Sequence, residues 1–144
     1  MNAYAKVKEF KKKYPLTVAW RLRKNSEVID KHLNPDEKIK YIFAGQKSIK
    51  FYDFFSTCIV AVTNKRILIG RKRVLFGYAL DSIMPYMFND LNIRTRIIWG
   101  RLTIDTVNEK IHISNIDKDA MSDIETSVSK AMFELKRKFP NKER

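Results

Sequence analysis

The chain has 144 residues and a formal net charge of +13, and 44% of its residues are hydrophobic. This length and composition fit one globular domain and exclude a disordered chain, and no apolar run approaches the roughly 18 residues of a membrane-spanning helix. So large a positive charge attracts anionic partners such as acidic lipid headgroups, nucleic acid or an acidic protein surface, although it also simply keeps a small protein dissolved.

The chain begins with a basic arm, residues 1–14, that has helical periodicity. Residues 1–24 carry eight Lys or Arg residues and one Glu. Apolar residues recur at near-helical spacing among these lysines, at Ala3, Val7 and Phe10. Pro15 ends this segment, because a proline disfavours helical backbone in the residue before it.

A second helix is predicted from Thr17 onward, with Thr17 as a candidate N-cap and Asn25-Ser26 as a candidate break. Its apolar residues form one stripe at Val18, Leu22, Ile29 and Leu33. The run Asn34-Pro35-Asp36-Glu37 then has the composition of a turn. We therefore divide the chain into a basic N-terminal arm with helices, residues 1–34, and a β-rich domain, residues 35–144.

From Ile39 the hydrophobic period changes from that of a helix to that of a strand. Alternation and β-branched runs predict strands at about residues 39–47, 56–63, 66–71, 74–80, 97–104 and 110–113. Pro85 lies inside a further apolar run, so that strand is an edge, is bulged or starts late. Asn89-Asp90 follows it as a turn or a bulge.

The most distinctive stretch is residues 59–71, in which Thr63-Asn64-Lys65-Arg66 separates two β-branched runs. Val, Ile and Thr suit a pleated, half-buried surface, and Asn tolerates the left-handed backbone of tight hairpins. The pattern predicts a hairpin with Asn64 making the turn and Arg66 as an anchor at the rim. The single cysteine, Cys58, lies in the preceding strand, where it is expected to be a core residue. One cysteine excludes a disulfide within the chain and favours a cytoplasmic protein.

The end of the chain predicts a long amphipathic helix that Pro140 terminates. Its apolar residues repeat at intervals of three and four: Met121, Ile124, Val128, Ala131, Met132, Leu135 and Phe139. Acidic residues come early and basic residues late, as the helix dipole favours. An apolar stripe of this length belongs in a core, so the helix is expected to close the β-rich domain.

These motifs, in this order, resemble bacterial pleckstrin-homology (PH)-like domains, the group related to GRAM and YokE-like modules. Residues 61–69 (AVTNKRILI) resemble the family hairpin, and residues 33–39 (LNPDEKI) resemble the lead-in to its first strand. Residues 80–83 (LDSI) and 99–104 (WGRLTI) match further segments. The resemblance covers roughly residues 30–139. It implies an α+β, mainly β fold: a PH-like barrel of about seven antiparallel strands capped by the C-terminal helix, with extra N-terminal helices.

No pattern for catalysis or metal binding stands out in the sequence. His32 and His112 are far apart and lack ligand-like spacing, and there is no cysteine pair, HExxH motif or glycine-rich loop. His112, between two isoleucines, is expected to point outward from a strand. We therefore expect no enzymatic activity, no cofactor and no metal.

The resemblance implies a binding or adaptor module, and its first expected partner is a protein, either a different one or another copy of this chain. The N-terminal helices offer Val18, Trp20 and Leu22 as an apolar surface for such a partner. In the alternative arrangement these helices fold back on the barrel.

The second hypothesis is peripheral binding to anionic lipid headgroups at the inner membrane face. Its candidate residues are the basic side chains expected around one open end of the barrel, which are Lys47, Lys50, Arg71, Lys72, Arg73, Arg94 and Arg96. A third hypothesis is non-specific binding of nucleic acid, in which the basic arm pairs phosphates and its aromatic residues stack on bases.

Overall fold

The computed structural model describes residues 2–47 and 56–139, within which three α-helices and seven β-strands are found. The helices are α1 (Ala3–Lys13), α2 (Leu22–His32) and α3 (Met121–Lys138). The strands are β1 (Ile39–Gln46), β2 (Thr57–Thr63), β3 (Ile67–Lys72), β4 (Tyr78–Ile83), β5 (Phe88–Thr95), β6 (Trp99–Thr106) and β7 (Lys110–Asp117). All neighbouring strands pair antiparallel, in the order β4-β3-β2-β1-β7-β6-β5.

Two β-meanders, β1–β4 and β5–β7, meet at a corner. They are joined where Gln46 of β1 pairs with Ser114 of β7. The sheet folds around an inner core, and α3 packs into it with Met121, Ile124, Val128, Met132 and Leu135. The predicted fold class, a half-barrel of seven antiparallel strands capped by a long C-terminal helix, is confirmed.

The N-terminal helices form a third layer on the outside of the first meander. Val7 of α1 and Ile29 of α2 are fully buried against the outward-facing side chains of β1, β2 and β3. These strand residues are Ile42, Ala44, Ile59, Ala61 and Leu68. As a result β2 is buried along its whole length, on both faces of the sheet. Of the two arrangements that the sequence left open, the helices adopt the one in which they pack on the barrel.

An ion pair joins the lead-in to β1 with the β2–β3 turn. Arg66 donates from Nε to Oε2 of Glu37 and from Nη2 to Oε1, each at 3.0 Å. The Thr63 hydroxyl donates to the same carboxylate at 2.6 Å. Further donors of the guanidinium bind Ser82 Oγ in β4 and the carbonyl of His32 at the end of α2. Arg66 is therefore the anchor that the sequence predicted, and it connects four separate segments.

Side chains close the β2–β3 turn. Thr63 Oγ1 accepts hydrogen bonds from the amides two and three residues further on, both at 3.0 Å. Asn64 Oδ1 accepts from the amide of Lys38, and Asn64 Nδ2 donates to the carbonyl of Asp36. The prediction that Asn64 supplies a left-handed backbone is wrong, because its φ is not positive.

Two predicted boundaries near the N-terminus need correction. The second helix begins at Leu22, and Asn25-Ser26 lies inside it without a break, with both side chains buried. Thr17 does not cap this helix; its buried hydroxyl accepts a hydrogen bond from the amide of Asp117 at 3.0 Å. A polar group in this linker is thus used for a long-range tertiary contact.

In the β-rich part, the predicted strand at residues 74–80 is displaced to Tyr78–Ile83. Gly77 adopts a φ of 67°, which turns the chain and leaves residues 74–76 in the hairpin tip. Pro85 begins a short 3₁₀ turn, so the next strand starts late, at Phe88, as predicted. A register shift between Phe88 and Asp90 confirms a bulge there.

We expect Ile29→Ala to lower the free energy of unfolding by about 2–5 kcal/mol, because the truncation leaves a cavity between α2 and the sheet. Urea denaturation followed by tryptophan fluorescence measures the change. Lys31→Ala, an exposed position on the same helix, is the control and should change stability by no more than about 0.5 kcal/mol. Equal effects of the two substitutions would contradict the presence of an outer core.

Glu37 makes the stability of the protein dependent on pH. Burial raises the pKa of Glu37, but hydrogen bonds from Arg66, Thr63 and the Asn34 amide outweigh it and hold the pKa below its ordinary value of 4.5. As the pH falls, the Glu37 carboxylate becomes protonated in the unfolded chain before it does so in the folded chain. The ion pair therefore stabilises the fold above about pH 4.5 and is lost as the pH falls through the lower native pKa.

Glu37→Gln should therefore lower stability at neutral pH by about 1.5–3 kcal/mol and flatten the decline of stability on acidification. Chemical denaturation across a pH series checks both effects. Asp36→Asn, which removes the exposed ion pair with Lys65, is the matched control and should leave the pH curve close to that of the wild type. The same acid sensitivity in Glu37→Gln and the wild type would show that this carboxylate is not responsible.

Candidate functional site

The linker between α1 and α2 runs along one rim of the sheet. Hydrogen bonds fix the linker to the ends of four strands in turn. Leu16 is bonded to Trp99 of β6 and Val18 to Asn115 of β7, and further along Trp20 is bonded to Thr57 of β2 and Arg21 to Lys72 of β3. The rim therefore has the β5–β6 turn at one end and the β3–β4 hairpin at the other. The residues predicted to bind anions are distributed between these two places.

The β3–β4 hairpin holds Arg71, Lys72 and Arg73. Its turn is closed by the Arg73 amide, which donates to the carbonyl of Gly77 at 3.0 Å. Lys47, predicted to lie beside this group, is paired with Asp81 of β4 at 2.6 Å, so its charge is neutralised locally. Lys50 lies outside the described residues.

The tip of this hairpin is apolar. Leu75 and Phe76 are each 82% exposed, and Val74 and Tyr78 beside them are about half exposed. The sequence prediction placed residues 74–76 in a strand and so missed them as surface residues. The result is a protruding pair of large apolar side chains with basic residues at its base.

Arg94 and Arg96 belong to a second group, on the outer face of β5–β7. Arg94 lies directly opposite Arg101 in the β5–β6 ladder. These three arginines line a pocket of about 180 Å³, which Trp99, Ser114 and Asn115 complete. Arg101 was not among the predicted site residues.

A β-bulge shapes this pocket. The β6–β7 register shifts between Gly100 and Leu102, so that Arg101 faces two residues of β7, Ser114 and Asn115. Asn115 has a φ of 58°, which is uncommon for a residue with a side chain. Bulges redirect side chains and are frequent beside binding sites. Here the bulge lies where the two meanders join, because Ser114 also pairs with β1.

The three arginines give this pocket a positive charge. Among the residues that the structure describes, the ion pairs involve other cations, and the three pocket arginines have no acidic partner. The acidic residues of the same hairpin, Asp90 and Asp105, face each other at its far end. Because like charges directly opposite each other across a ladder are destabilising, Arg94 and Arg101 repel each other when no anion is bound. The arrangement therefore favours an anion between Arg94 and Arg101.

The remaining predicted surface, Val18, Trp20 and Leu22, is divided by the fold. Leu22 packs against the outer core and Val18 is half-buried. Trp20 stays 46% exposed on the rim linker. The three side chains thus do not form one apolar face.

Two titratable side chains considered in the sequence, Cys58 and His112, lie in different surroundings. Burial raises the pKa of the Cys58 thiol to about 12, so it stays protonated at neutral pH. His112 is exposed on the outer face of β7, as predicted, with Nδ1 2.8 Å from Thr103 Oγ1. Within residues 2–47 and 56–139 no group of His, Cys, Asp or Glu side chains is arranged to hold a metal. No helix in these same ranges is long and apolar enough to cross a membrane.

Comparison with known proteins places these features in context. The bacterial PH domain family model matches residues 33–130, which begins after α2 and extends into α3. The structure is similar to a pleckstrin homology domain from Shewanella amazonensis SB2B, with 13% identity, a TM-score of 0.49, and coverage of 78% of this chain and 88% of that one. It is also similar to a DUF1696 family protein with a pleckstrin-homology domain from Shewanella loihica PV-4, with 11% identity, a TM-score of 0.48, and coverage of 88% and 96%. No curated protein matches the chain.

If Arg94 and Arg101 repel each other in the unliganded protein, Arg94→Gln should raise stability at low ionic strength by roughly 0.2–1 kcal/mol. The gain should disappear at high salt, because screening removes the repulsion. Thermal unfolding at two salt concentrations measures it. Arg137→Gln is the matched control, because Arg137 lies over the Phe133 ring in the last turn of α3 and its charge should stabilise that helix. A destabilised Arg94→Gln at low salt would contradict this electrostatic interpretation.

Proposed function

This chain belongs to the bacterial PH domain family, and on that premise we propose that it is a non-catalytic binding module that attaches reversibly to anionic lipid surfaces through the β3–β4 hairpin. The fold is that of a general binding module. The observation that carries the lipid proposal is the hairpin tip, where Leu75 and Phe76 are each 82% exposed beside basic residues.

The apolar tip supplies the first part of the binding energy. Burying a large apolar side chain is worth about 1.5–3 kcal/mol, and nothing in the described fold covers Leu75 or Phe76. The tip protrudes because Gly77 reverses the chain, so both side chains can enter an interface without any rearrangement of the core. Such insertion is typical of peripheral membrane binding.

The basic residues supply the second part. Lys72 ends β3 and Arg73 follows it, just before the tip, and no acidic side chain within the described ranges pairs with either of them. A basic residue near an anionic membrane surface contributes about 1 kcal/mol, and cytoplasmic leaflets carry such lipids. Together these contributions amount to weak, salt-dependent attachment. They are consistent with a cytoplasmic protein that is peripheral at the inner membrane face.

The same structure weakens the two other hypotheses. For a protein partner, the apolar residues expected to form one surface are separated, since Leu22 packs on the outer core while Trp20 lies exposed on the rim linker. For nucleic acid, base stacking by the basic arm is disfavoured because Phe10 and Tyr14 are buried and Tyr4 is covered by Lys8 and Arg23. The lipid proposal uses side chains that remain exposed.

Cosedimentation with phosphatidylcholine vesicles, with and without phosphatidylglycerol, tests the proposal. We expect the wild type to bind only the anionic vesicles at low salt. The double substitution Leu75→Ser/Phe76→Ser and the double substitution Lys72→Glu/Arg73→Glu should each abolish binding. Phe133→Ser, which replaces an exposed phenylalanine on α3, is the control and should bind normally. Wild-type protein that stays in the supernatant at low salt would refute the proposal.

A further inference from the structure

We propose that the pocket formed by Arg94, Arg96 and Arg101 is a specific binding site for a phosphoryl group, separate from the membrane-inserting hairpin. The pocket lies on the outer face of the second meander, at the bulge between β6 and β7. The tip of the β3–β4 hairpin belongs to the other meander. The two proposals therefore stand on different residues.

The arrangement of the arginines is the first argument. Arg94 and Arg101 are cross-strand partners, so the backbone ladder itself holds their side chains together. Arg96 directly follows the last residue of β5 and lines the same pocket as Arg94. The backbone of the turn is fixed by the Arg96 amide, which donates to the carbonyl of Trp99 at 2.9 Å. The three arginines thus line one pocket at the end of this hairpin.

The choice of residue is the second argument. Lysine is the commoner basic residue in this chain, yet all three basic residues between Arg73 and Lys110 are arginines. A guanidinium presents a planar fork of donors that matches phosphate oxygens, whereas an ammonium acts as a point charge. Lysines would suffice if this surface served only to keep the protein dissolved.

Size and charge identify the chemical class of the ligand. A pocket of about 180 Å³ is smaller than the roughly 300–1,000 Å³ of sites for drug-sized ligands, so it suits a compact group. Three neighbouring positive charges are poorly balanced by one carboxylate. They are better balanced by a phosphate, which carries a charge of about −1.5 to −2 at pH 7, or by a diphosphate, which carries more. The indole of Trp99 provides a firm wall, because its Nε1 donates to the carbonyl of Leu16 at 2.7 Å.

A titration of the full chain with inorganic pyrophosphate, followed by amide NMR at constant ionic strength, tests the site. We expect saturable shifts centred on residues 94–101 and 114–115. Arg96→Gln and Arg101→Gln should each weaken binding at least about tenfold, because each removes charge-assisted hydrogen bonds. Arg101→Lys should also bind less well, since it keeps the charge and loses the fork.

Arg137→Gln, with the same change in net charge, should bind like the wild type. No saturable binding by the wild type, or equal weakening in Arg137→Gln, would overturn the proposal by showing only a general attraction. Arg96 is exposed at the turn, so its substitution keeps the test valid if Arg101→Gln fails to fold.

Vesicles distinguish the two sources of a phosphoryl group. If the ligand is a lipid headgroup, phosphatidylcholine vesicles containing phosphatidic acid should bind the wild type more tightly than Arg101→Gln, and pyrophosphate should compete. If it is a soluble phosphate compound, pyrophosphate binds and the vesicles show no dependence on Arg101. Leu75→Ser/Phe76→Ser should retain pyrophosphate binding in either case, so failure of the hairpin proposal is distinguishable from failure of this one.

Discussion

The buried ion pair between Glu37 and Arg66 is the interaction on which the rest of the fold depends. The side chain of Glu37 is fully buried, and a buried carboxylate without a partner costs several kcal/mol. Arg66 satisfies it while also binding the end of α2 and a serine of β4. A single guanidinium therefore fixes the positions of the helical layer, the first strand and the hairpin relative to one another. A lysine in its place could not reach all these acceptors at once.

This anchoring determines which surfaces remain for binding. The outer face of the first meander is covered by α1 and α2, and the inner face of the sheet is closed by α3. What stays open is the outer face of the second meander and the ends of the hairpins. The exposed apolar tip and the arginine pocket lie on these two surfaces. The N-terminal helices therefore act on function indirectly, by covering one face of the sheet.

The sequence predicted the parts of the fold that depend on local pattern. The hairpin around residues 63–66 and the closing helix were recognisable because their periodicity and turn chemistry agree with the tertiary structure. The packing of α1 and α2 on the sheet was one of two arrangements that the sequence left open. β2 carries the signal that decides between them, because residues 58–62 contain no polar side chain, as a strand buried on both faces requires. Arg101 was missed because its partnership with Arg94 depends on strand register, which a linear pattern does not show. The exposure of Leu75 depends on one positive φ at Gly77.

The turns at the two ends of the strands differ in how they are closed and in the side chains that they contain. The β2–β3 turn begins with Thr63 and the β6–β7 turn begins with Thr106. In each turn the threonine hydroxyl accepts hydrogen bonds from backbone amides two and three residues further on. Their polar groups are satisfied within the chain. The β3–β4 hairpin and the β5–β6 turn lie at the other ends of β3 and β6. They contain exposed apolar or cationic side chains, such as Phe76 in the first and Arg96 in the second. An exposed apolar side chain such as Phe76 gains free energy when a partner buries it, so binding is expected at this second set of turns.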